Sequence, residues 1–272
     1  MKQILLINDV VGRSHVGMAA MSPILIHIGH STFNLPTALV SNTLDYGRFN
    51  VLETTEYMRG TIPVWRELGF RFDAVCTGLM FSEEQARLVS SYCRQLRSEG
   101  TTVFVDPIMG DGGRLYNGMD ERQVDLMREM VSVADLTLPN FTEACYLAGM
   151  PYRPEGMDWG EACELVDKIV AIGAKSVLVT SARVDGHCCV MGIGNTEGSY
   201  IRIDYEELPK AFHGTGDIFS AVLIGHLMNG EPLRESTRTA MSVVSRLIEC
   251  NMEQEDVCLG IPIERCLEVM GD

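Results

Sequence analysis

The chain has 272 residues, 46% of them hydrophobic, which is enough for one large core, and we expect a single domain over residues 1–272. The 22 Lys and Arg residues are outnumbered by 37 Asp and Glu residues, and the net charge of −15 argues against nucleic acid as a partner. No apolar run is long enough for a membrane span, and nine scattered cysteines without a CxxC pair are typical of reduced thiols in a cytoplasmic protein.

Short apolar strands alternate with helical segments along the chain. The first apolar run, Ile4–Ile7, is too short for a signal peptide and is interpreted as a strand. The alternation predicts an α/β fold with a mostly parallel sheet and helices on both faces. Further predicted strands are 74–77, 102–105, 136–138, 176–180, 187–193 and 199–203, the last two joined as a hairpin by a turn at 194–198. Predicted helices are 17–30, 53–68, 82 to just before Gly100, 120–133, 141–148, 158–172, and two that start near Thr215 and Leu233.

The segment Gly214-Thr215-Gly216-Asp217 leads directly into an apolar helical series. Two glycines allow a ligand to approach the backbone, and the free N–H groups at a helix start favour an anion such as phosphate. Asp217 would then be a general base beside that anion. Alternatively, the segment is an ordinary helix start that Thr215 caps, with Asp217 as an acid that complements the helix dipole. These four residues alone do not decide between the two hypotheses.

Polar residues follow several predicted strands, at the edge where ligands bind in parallel sheets. Several acids close to an anion site would repel one another unless a cation were present, and Mg²⁺ shared with phosphates would resolve this. Each also has a simpler explanation: a strand end before proline, a turn, or a helix cap formed by Asn140 with Glu143. The candidates are Asn8, Asp9, Thr77, Gly78, Asp106, Asp111, Asn140, Glu143, Thr180 and Ser181.

Four motifs occur in the order and spacing of the ribokinase-like kinases. They are Val105-Asp106-Pro107-Ile108-Met109-Gly110-Asp111-Gly112-Gly113, Pro139-Asn140-Phe141-Thr142-Glu143-Ala144, Val179-Thr180-Ser181 and Gly214-Thr215-Gly216-Asp217. Within that superfamily the chain is most similar to pyridoxal (vitamin B6) kinases, a likeness that the N-terminal segment 10–17 and Ser41, Asn42 and Tyr46 extend. The resemblance covers essentially the whole chain.

This resemblance implies a three-layer fold without a separate lid domain and ATP-dependent phosphorylation of a primary hydroxyl. Asp217 would be the base, and the N–H groups of Gly214, Thr215 and Gly216 would bind the transferring phosphoryl group. Asp111 and Glu143 would organise Mg²⁺. The residues implied for ATP are Asp106, Asn140, Glu143, Thr180, Ser181 and Thr215. A homodimer is the assembly that the resemblance implies.

The substrate side departs from the pyridoxal kinase pattern. That family usually has serine, threonine and tyrosine at the positions of Asp9, Leu44 and Leu79. Asp9 could bind a protonated ring nitrogen, an amine or two sugar hydroxyls, or it could cap its own loop. Leu44 and Leu79 would make the pocket wall more apolar. Leu138 stands where the family often has a threonine that helps to hold a monovalent cation, so K⁺ is an open candidate cofactor beside ATP and Mg²⁺.

The sequence therefore predicts an ATP- and Mg²⁺-dependent kinase for pyridoxal, pyridoxine or pyridoxamine. The first alternative is a ribokinase-like kinase for a hydroxymethylpyrimidine, a sugar or a nucleoside. A second is a non-catalytic regulator that binds a nucleotide or metabolite on the same fold. Asp217 and Glu143 argue against the regulator, because a protein that only binds has no need of a base.

Overall fold

The computed structural model describes residues 1–195 and 198–270. Within these ranges the chain forms thirteen strands and eight α-helices. The strands are β1 Gln3–Ile7, β2 Val10–Val11, β3 Ser31–Asn34, β4 Ala38–Val40, β5 Val51–Glu53, β6 Ala74–Thr77, β7 Thr102–Val105, β8 Gly110–Asp111, β9 Arg114–Leu115, β10 Leu136–Thr137, β11 Ser176–Val184, β12 His187–Ile193 and β13 Tyr200–Tyr205. The helices are α1 Met18–His27, α2 Thr55–Glu67, α3 Glu83–Ser98, α4 Glu121–Val131, α5 Phe141–Ala148, α6 Trp159–Ile172, α7 Thr215–Met228 and α8 Leu233–Cys250.

Eight strands form the central sheet, in the order β13-β12-β11-β10-β7-β6-β1-β3. The pairs β1–β3, β7–β10 and β10–β11 are parallel, whereas β12 pairs antiparallel with both β11 and β13. Strand β6 is buried along its whole length, as expected for a strand of a parallel sheet covered on both faces. The predicted α/β fold and the hairpin of β12 and β13 are confirmed. Thr196 and Glu197, in the predicted turn of that hairpin, lie outside the described residues.

The described chain forms two compact units. Unit 1 comprises residues 1–76 and 208–272, and unit 2 comprises residues 77–207. In unit 1, α7 packs against α8 and α1, and a small sheet joins β2, β4 and β5. In unit 2, α3 packs against α4 and α5 against α6, and β8 pairs with β9. One domain over residues 1–272 stays a prediction.

Local signals in the sequence explain where several helices begin and end. Ser82 caps α3 by accepting a hydrogen bond from the backbone N–H of Gln85, and Asp158 caps α6 with a capping box. Gly149 ends α5 in the left-handed conformation, with φ of 64°, where a glycine has no steric penalty. None of the described helices is long and apolar enough to span a membrane.

Candidate active site

Gly214 is the N-cap residue of α7, and its backbone conformation is one that a side chain would obstruct. Its φ is 81°, and a Cβ atom there would lie 2.6 Å from the carbonyl oxygen of His15. As a glycine, this N-cap residue has no side chain that could cap the helix start. The hypothesis that Thr215 is the cap is wrong, because the Thr215 hydroxyl donates to the carbonyl oxygen of Phe212 at 3.1 Å. Neither Gly214 nor Thr215 therefore provides a side-chain acceptor for the first N–H groups of α7.

Gly216 lies inside α7, where its conformation does not require glycine. A Cβ atom added there would meet nothing within 4 Å, and the residue is exposed. Packing therefore does not require glycine at this position either. A ligand that comes close to the backbone is the remaining reason for it. Together with the uncapped helix start, this supports the predicted anion site.

Asp217, in the first turn of α7, is held by two donors. The backbone N–H of Gly17 donates to its Oδ2 at 2.8 Å, and the side-chain amide of Asn8 donates to its Oδ1 at 3.4 Å. Burial raises the pKa of Asp217 to about 6, and these two hydrogen bonds counteract the rise. At neutral pH the carboxylate is thus mainly ionised and able to accept a proton.

Asp9 follows β1 and is buried, with 7% of its surface exposed. Its Oδ1 lies 2.7 Å from the point that a Cβ atom on Gly17 would occupy, so only a glycine fits between Asp9 and its neighbours there. Burial first, and repulsion by Asp217 second, raise the pKa of Asp9 to about 7. Asp9 and Asp217, called the acidic pair below, thus meet at the backbone of Gly17 within unit 1.

Leu44 lies on a short 3-10 helix, Leu44–Tyr46, that ion pairs and hydrogen bonds hold in place. Asp45 forms an ion pair with His213 at 3.1 Å, directly before Gly214 in the chain. The hydroxyl of Tyr46 donates to Asp256 at 2.6 Å. His213 thus links the short helix to the residue before Gly214, and a positional role for it stays a prediction.

In unit 2, Asn140 and Glu143 form a capping box at the start of α5. Asn140 Oδ1 accepts from the N–H of Glu143 at 3.0 Å, and Glu143 Oε2 accepts from the N–H of Asn140 at 2.8 Å. Asn140 also donates from Nδ2 to the carbonyl oxygen of Gly110 at 2.8 Å, which ties α5 to β8. The capping explanation is thus confirmed. A nucleotide-binding role for either residue remains a prediction, since caps commonly lie beside phosphates.

Glu143 is 3% exposed, and its Oε1 accepts from the N–H of Met109 at 3.0 Å. Burial raises the pKa of Glu143 to about 8, and the nearby Asp111 adds repulsion. Asp111 is exposed, with Oδ1 accepting from the N–H of Gly112 at 2.7 Å. Two neighbouring acids of this kind fit Mg²⁺, which prefers oxygen ligands and keeps most of its waters. In the ranges described, no three His, Cys, Asp or Glu residues form a metal cluster.

The other predicted nucleotide residues lie on unit 2, but two of them are not at a strand end. Strand β11 continues to Val184, and its register shifts between Val179 and Ala182. Thr180 and Ser181 therefore form a β-bulge inside the strand, where Ser181 has a left-handed φ of 54°. The expectation that the strand stops at Thr180 is wrong, because the bulge interrupts the ladder without ending it.

The remaining candidates are placed as follows. Asp106 follows β7 as predicted, and its N–H donates to the carbonyl oxygen of Thr77 at 3.0 Å. Leu79, predicted for the substrate wall, is buried in unit 2.

Asn8 and Gly17, the donors to Asp217, were not predicted to act on it. Each is some 200 residues away in sequence, so no local signal marks them.

A family model described as phosphomethylpyrimidine kinase matches residues 37–260. The chain belongs to the phosphomethylpyrimidine kinase family. The kinase is 29% identical over 258 residues to a pyridoxal kinase of Rubrobacter xylanophilus, covering 90% of this chain and 86% of that protein. It is 27% identical over 274 residues to pyridoxal kinase of Ovis aries, covering 91% and 86%.

Solved structures agree with this family assignment. A candidate phosphomethylpyrimidine kinase from Bacteroides thetaiotaomicron, in a crystal form with pyridoxal, superposes with a TM-score of 0.93 at 32% identity over 99% of this chain and 95% of that one. Pyridoxal kinase from Lactobacillus plantarum, at 24% identity and a TM-score of 0.87 over 99% and 96%, has the same fold. The predicted resemblance to the ribokinase-like pyridoxal kinases is confirmed, and the protein is an ATP-dependent kinase.

Proposed function

We propose that this kinase transfers the γ-phosphoryl group of ATP to the hydroxymethyl group of a B6 vitamer, namely pyridoxal, pyridoxine or pyridoxamine. The observation that carries the proposal is the position of Asp217 in the first turn of a helix whose N-cap residue, Gly214, has no side chain to cap it. A base and an anion site are thereby combined on one element. Relatives named pyridoxal kinase, and a structural neighbour that contains pyridoxal, support the choice of substrate.

In the proposed reaction, Asp217 orients the substrate hydroxyl and accepts its proton as the oxygen attacks the phosphorus atom. A carboxylate with a pKa of about 6 suffices, because a loose transition state removes the alcohol proton late. The N–H groups of Gly214, Thr215 and Gly216 stabilise the charge on the transferring group. Gly17 holds the base by its hydrogen bond to Oδ2.

The residues proposed to bind ATP are those that the sequence motifs predict. They are Asp106, Asn140, Glu143, Thr180, Ser181 and Thr215. Asp111 and Glu143 would hold Mg²⁺, which when bound neutralises phosphate charge. A role for K⁺ remains open, since Leu138 is buried and has no oxygen in its side chain.

The proposed substrate contacts are Asp9, Leu44, Leu79 and the hydroxyl-binding Asp217. A second candidate function, phosphorylation of a hydroxymethylpyrimidine, is supported by the description of the family model. Both substrates are flat heteroaromatic alcohols, which suits apolar walls with few polar groups.

A substrate panel tests the proposal. Pyridoxal, pyridoxine, pyridoxamine, hydroxymethylpyrimidine, ribose and adenosine are each incubated with ATP and Mg²⁺, and ADP release and phosphorylated product are measured. We expect turnover of at least one B6 vitamer with the highest kcat/KM of the panel. Turnover of hydroxymethylpyrimidine alone, or of a sugar alone, would refute the B6 assignment while leaving the base assignment standing.

We further propose that the kinase is a cytoplasmic homodimer with no nucleic-acid or membrane partner. Unit 1 exposes an apolar cross-strand pair, Leu39 and Leu52, which are 47% and 61% exposed and directly opposite each other in β4 and β5. Tyr57, Val64 and Leu68 are also exposed, at helical spacing from α2 onwards. Exposed apolar groups of this size favour burial against another protein.

The proposed cytoplasmic location is supported by the nine scattered cysteines, which are typical of a reducing compartment.

A further inference from the structure

The acidic pair has no cationic partner within the described ranges. Asp9 is more than nine-tenths buried, yet no Lys, Arg or His there forms an ion pair with Asp9 or with Asp217. The pKa of the Asp9 carboxyl is shifted by its burial, by Asp217 and by its own backbone N–H. The pKa of Asp217 is shifted by burial and by hydrogen bonds from Gly17 and Asn8. Both carboxylates therefore lack the positive charge that a buried acid normally has beside it.

A buried carboxylate, Asp9, and a half-buried one, Asp217, cannot both remain ionised cheaply without a cation. One solution is a proton shared between them. A shared proton would conflict with the role of Asp217, because Asp217 must be ionised to act as a base. The other solution is a positive charge that arrives with the substrate. It neutralises Asp9 when the complex forms and leaves Asp217 free to accept the hydroxyl proton.

We propose that Asp9 is a specificity-determining residue that pairs with a protonated nitrogen in the ring of the substrate. This inference rests on the proposed function, since it places the substrate hydroxymethyl group at Asp217. A heteroaromatic alcohol with a ring N–H⁺ brings both groups that the acidic pair requires, a hydroxyl for Asp217 and a cation for Asp9. A neutral ring would leave Asp9 buried without a partner. The residue thus selects cationic heteroaromatic alcohols over neutral ones of the same shape.

The hydrogen bonds around Gly17 support a role for Asp9 in binding the substrate rather than in capping its own loop. The N–H of Gly17 is already used by Asp217, at 2.8 Å. The backbone N–H of Asp9 lies 3.0 Å from Asn8 Oδ1 and is also the hydrogen-bond donor that acts on the Asp9 carboxyl. A loop cap formed by Asp9 would rest on this shared donor, which is weak support for a buried carboxyl.

The test compares pyridoxine with its benzene analogue, in which a C–H group replaces the ring nitrogen. The kcat/KM values of both are measured for the wild-type kinase, Asp9→Asn and Asp9→Ser. Asp125→Asn is the matched control, because Asp125 is an exposed acid with only an i,i+3 partner, Arg128. We expect the wild type and the control to prefer pyridoxine by roughly 10- to 100-fold, the range of a charge-assisted hydrogen bond. The Asp9 variants should lose most of that preference, with kcat/KM for pyridoxine falling towards the value for the benzene analogue.

Melting temperature and ATP binding are measured on the same variants, so that loss of folding is separated from loss of selectivity. A wild type that uses pyridoxine and the benzene analogue equally well overturns the inference and leaves the proposed function standing. So does an Asp9→Asn variant that retains the full preference, which would favour the shared proton. A folded wild type that phosphorylates no B6 vitamer overturns the proposed function and, with it, the inference.

Discussion

The backbone N–H of Gly17 donates a 2.8 Å hydrogen bond to Oδ2 of Asp217, across 200 residues of sequence. This bond fixes Oδ2 of the proposed base, while Oδ1 has only the longer contact of 3.4 Å with the side-chain amide of Asn8. It also counteracts the rise in the pKa of Asp217 that burial causes. The residue is thus held in the protonation state that proton acceptance requires.

Replacing Asp217 by Asn tests its role as a base. We expect kcat to fall by about 10²- to 10⁴-fold, the usual contribution of a general base, while ATP affinity changes little. Turnover and nucleotide binding are measured separately, with Asp125→Asn as the control. Near-normal turnover in Asp217→Asn would rule out the proposed mechanism. A folded wild type without turnover on any substrate would instead reopen the hypothesis of a non-catalytic regulator.

Two glycines at the start of α7 should respond differently to alanine. Gly214→Ala introduces a Cβ atom 2.6 Å from a carbonyl oxygen at φ of 81°, and we expect the free energy of unfolding to fall by about 1–3 kcal/mol. Gly216→Ala meets open space inside a helix, and it should leave stability unchanged or raise it by up to about 1 kcal/mol.

The variants Gly214→Ala and Gly216→Ala also distinguish an effect on folding from an effect on phosphate binding. We expect Gly216→Ala to lower kcat/KM, because its methyl group would occupy the space in front of the helix start. Denaturant unfolding and steady-state kinetics on both variants make the comparison. Full activity in a stable Gly216→Ala variant would show that no ligand approaches the backbone there.

Asp9→Asn should make the ligand-free protein more stable at pH 8. The pKa of Asp9 is raised from 3.8 to about 7, so between these values the folded state binds more protons than the unfolded state. The free energy of unfolding therefore falls as pH rises from about 4 to 7, by at most about 4 kcal/mol from this group. Asp9→Asn has no carboxyl group at this position, so its free energy of unfolding should not fall with pH for this reason. Equal pH slopes for the wild type and Asp9→Asn in denaturant titrations would contradict the raised pKa.

Asn140→Ala removes the cap of α5 and the bond to Gly110. We expect the free energy of unfolding to fall by about 1–2 kcal/mol. Asn140→Ser is the matched control, since serine caps a helix equally well but is shorter than the amide that reaches the Gly110 carbonyl oxygen. If Asn140 also binds ATP, both variants should raise the KM for ATP. A normal KM in Asn140→Ser would restrict the residue to its structural role.

Leu52→Glu tests the proposed homodimer. A charge at the exposed pair of Leu52 and Leu39 would be buried without a partner in an interface, so we expect the dimer to dissociate in sedimentation experiments. Glu249→Gln on α8 provides a surface control elsewhere in unit 1. A wild type that sediments as a monomer would refute the assembly, and a dimer unaffected by Leu52→Glu would place the interface elsewhere.

Elements marked by local chemistry were predictable from the sequence. Helix α5 was predicted with the bounds that it has, because Asn140 caps its start and Gly149 ends it. Strands β6 and β7 were also predicted with their bounds, since each is a short apolar run between polar residues. Strand β3 was missed, because its residues Ser31–Asn34 are half-buried or exposed at the sheet edge and show little apolar signal.

The candidate site was predictable in its residue types and less so in its contacts. The motif located the glycine-rich helix start and Asp217, but it could not show that Gly214 rather than Thr215 is the N-cap residue of α7. The bulge at Thr180 and Ser181 was missed because two polar residues after an apolar run resemble the end of a strand. The bonds from Asn8 and Gly17 to Asp217 depend on tertiary folding, which local sequence does not encode.

The division of the chain into its two units has a consequence for biosynthesis. Unit 2 is one continuous stretch, residues 77–207, whereas unit 1 combines both ends of the chain. During synthesis unit 2 has all of its residues available before unit 1 does, and domains generally fold as they emerge from the ribosome. Asp9 leaves the ribosome early, but its pairing with Asp217 and Gly17 must wait for the last quarter of translation. A nascent chain truncated before residue 208 would therefore expose the apolar surface of α1 that α7 covers in the finished protein, which makes this stage the one where a chaperone is most needed.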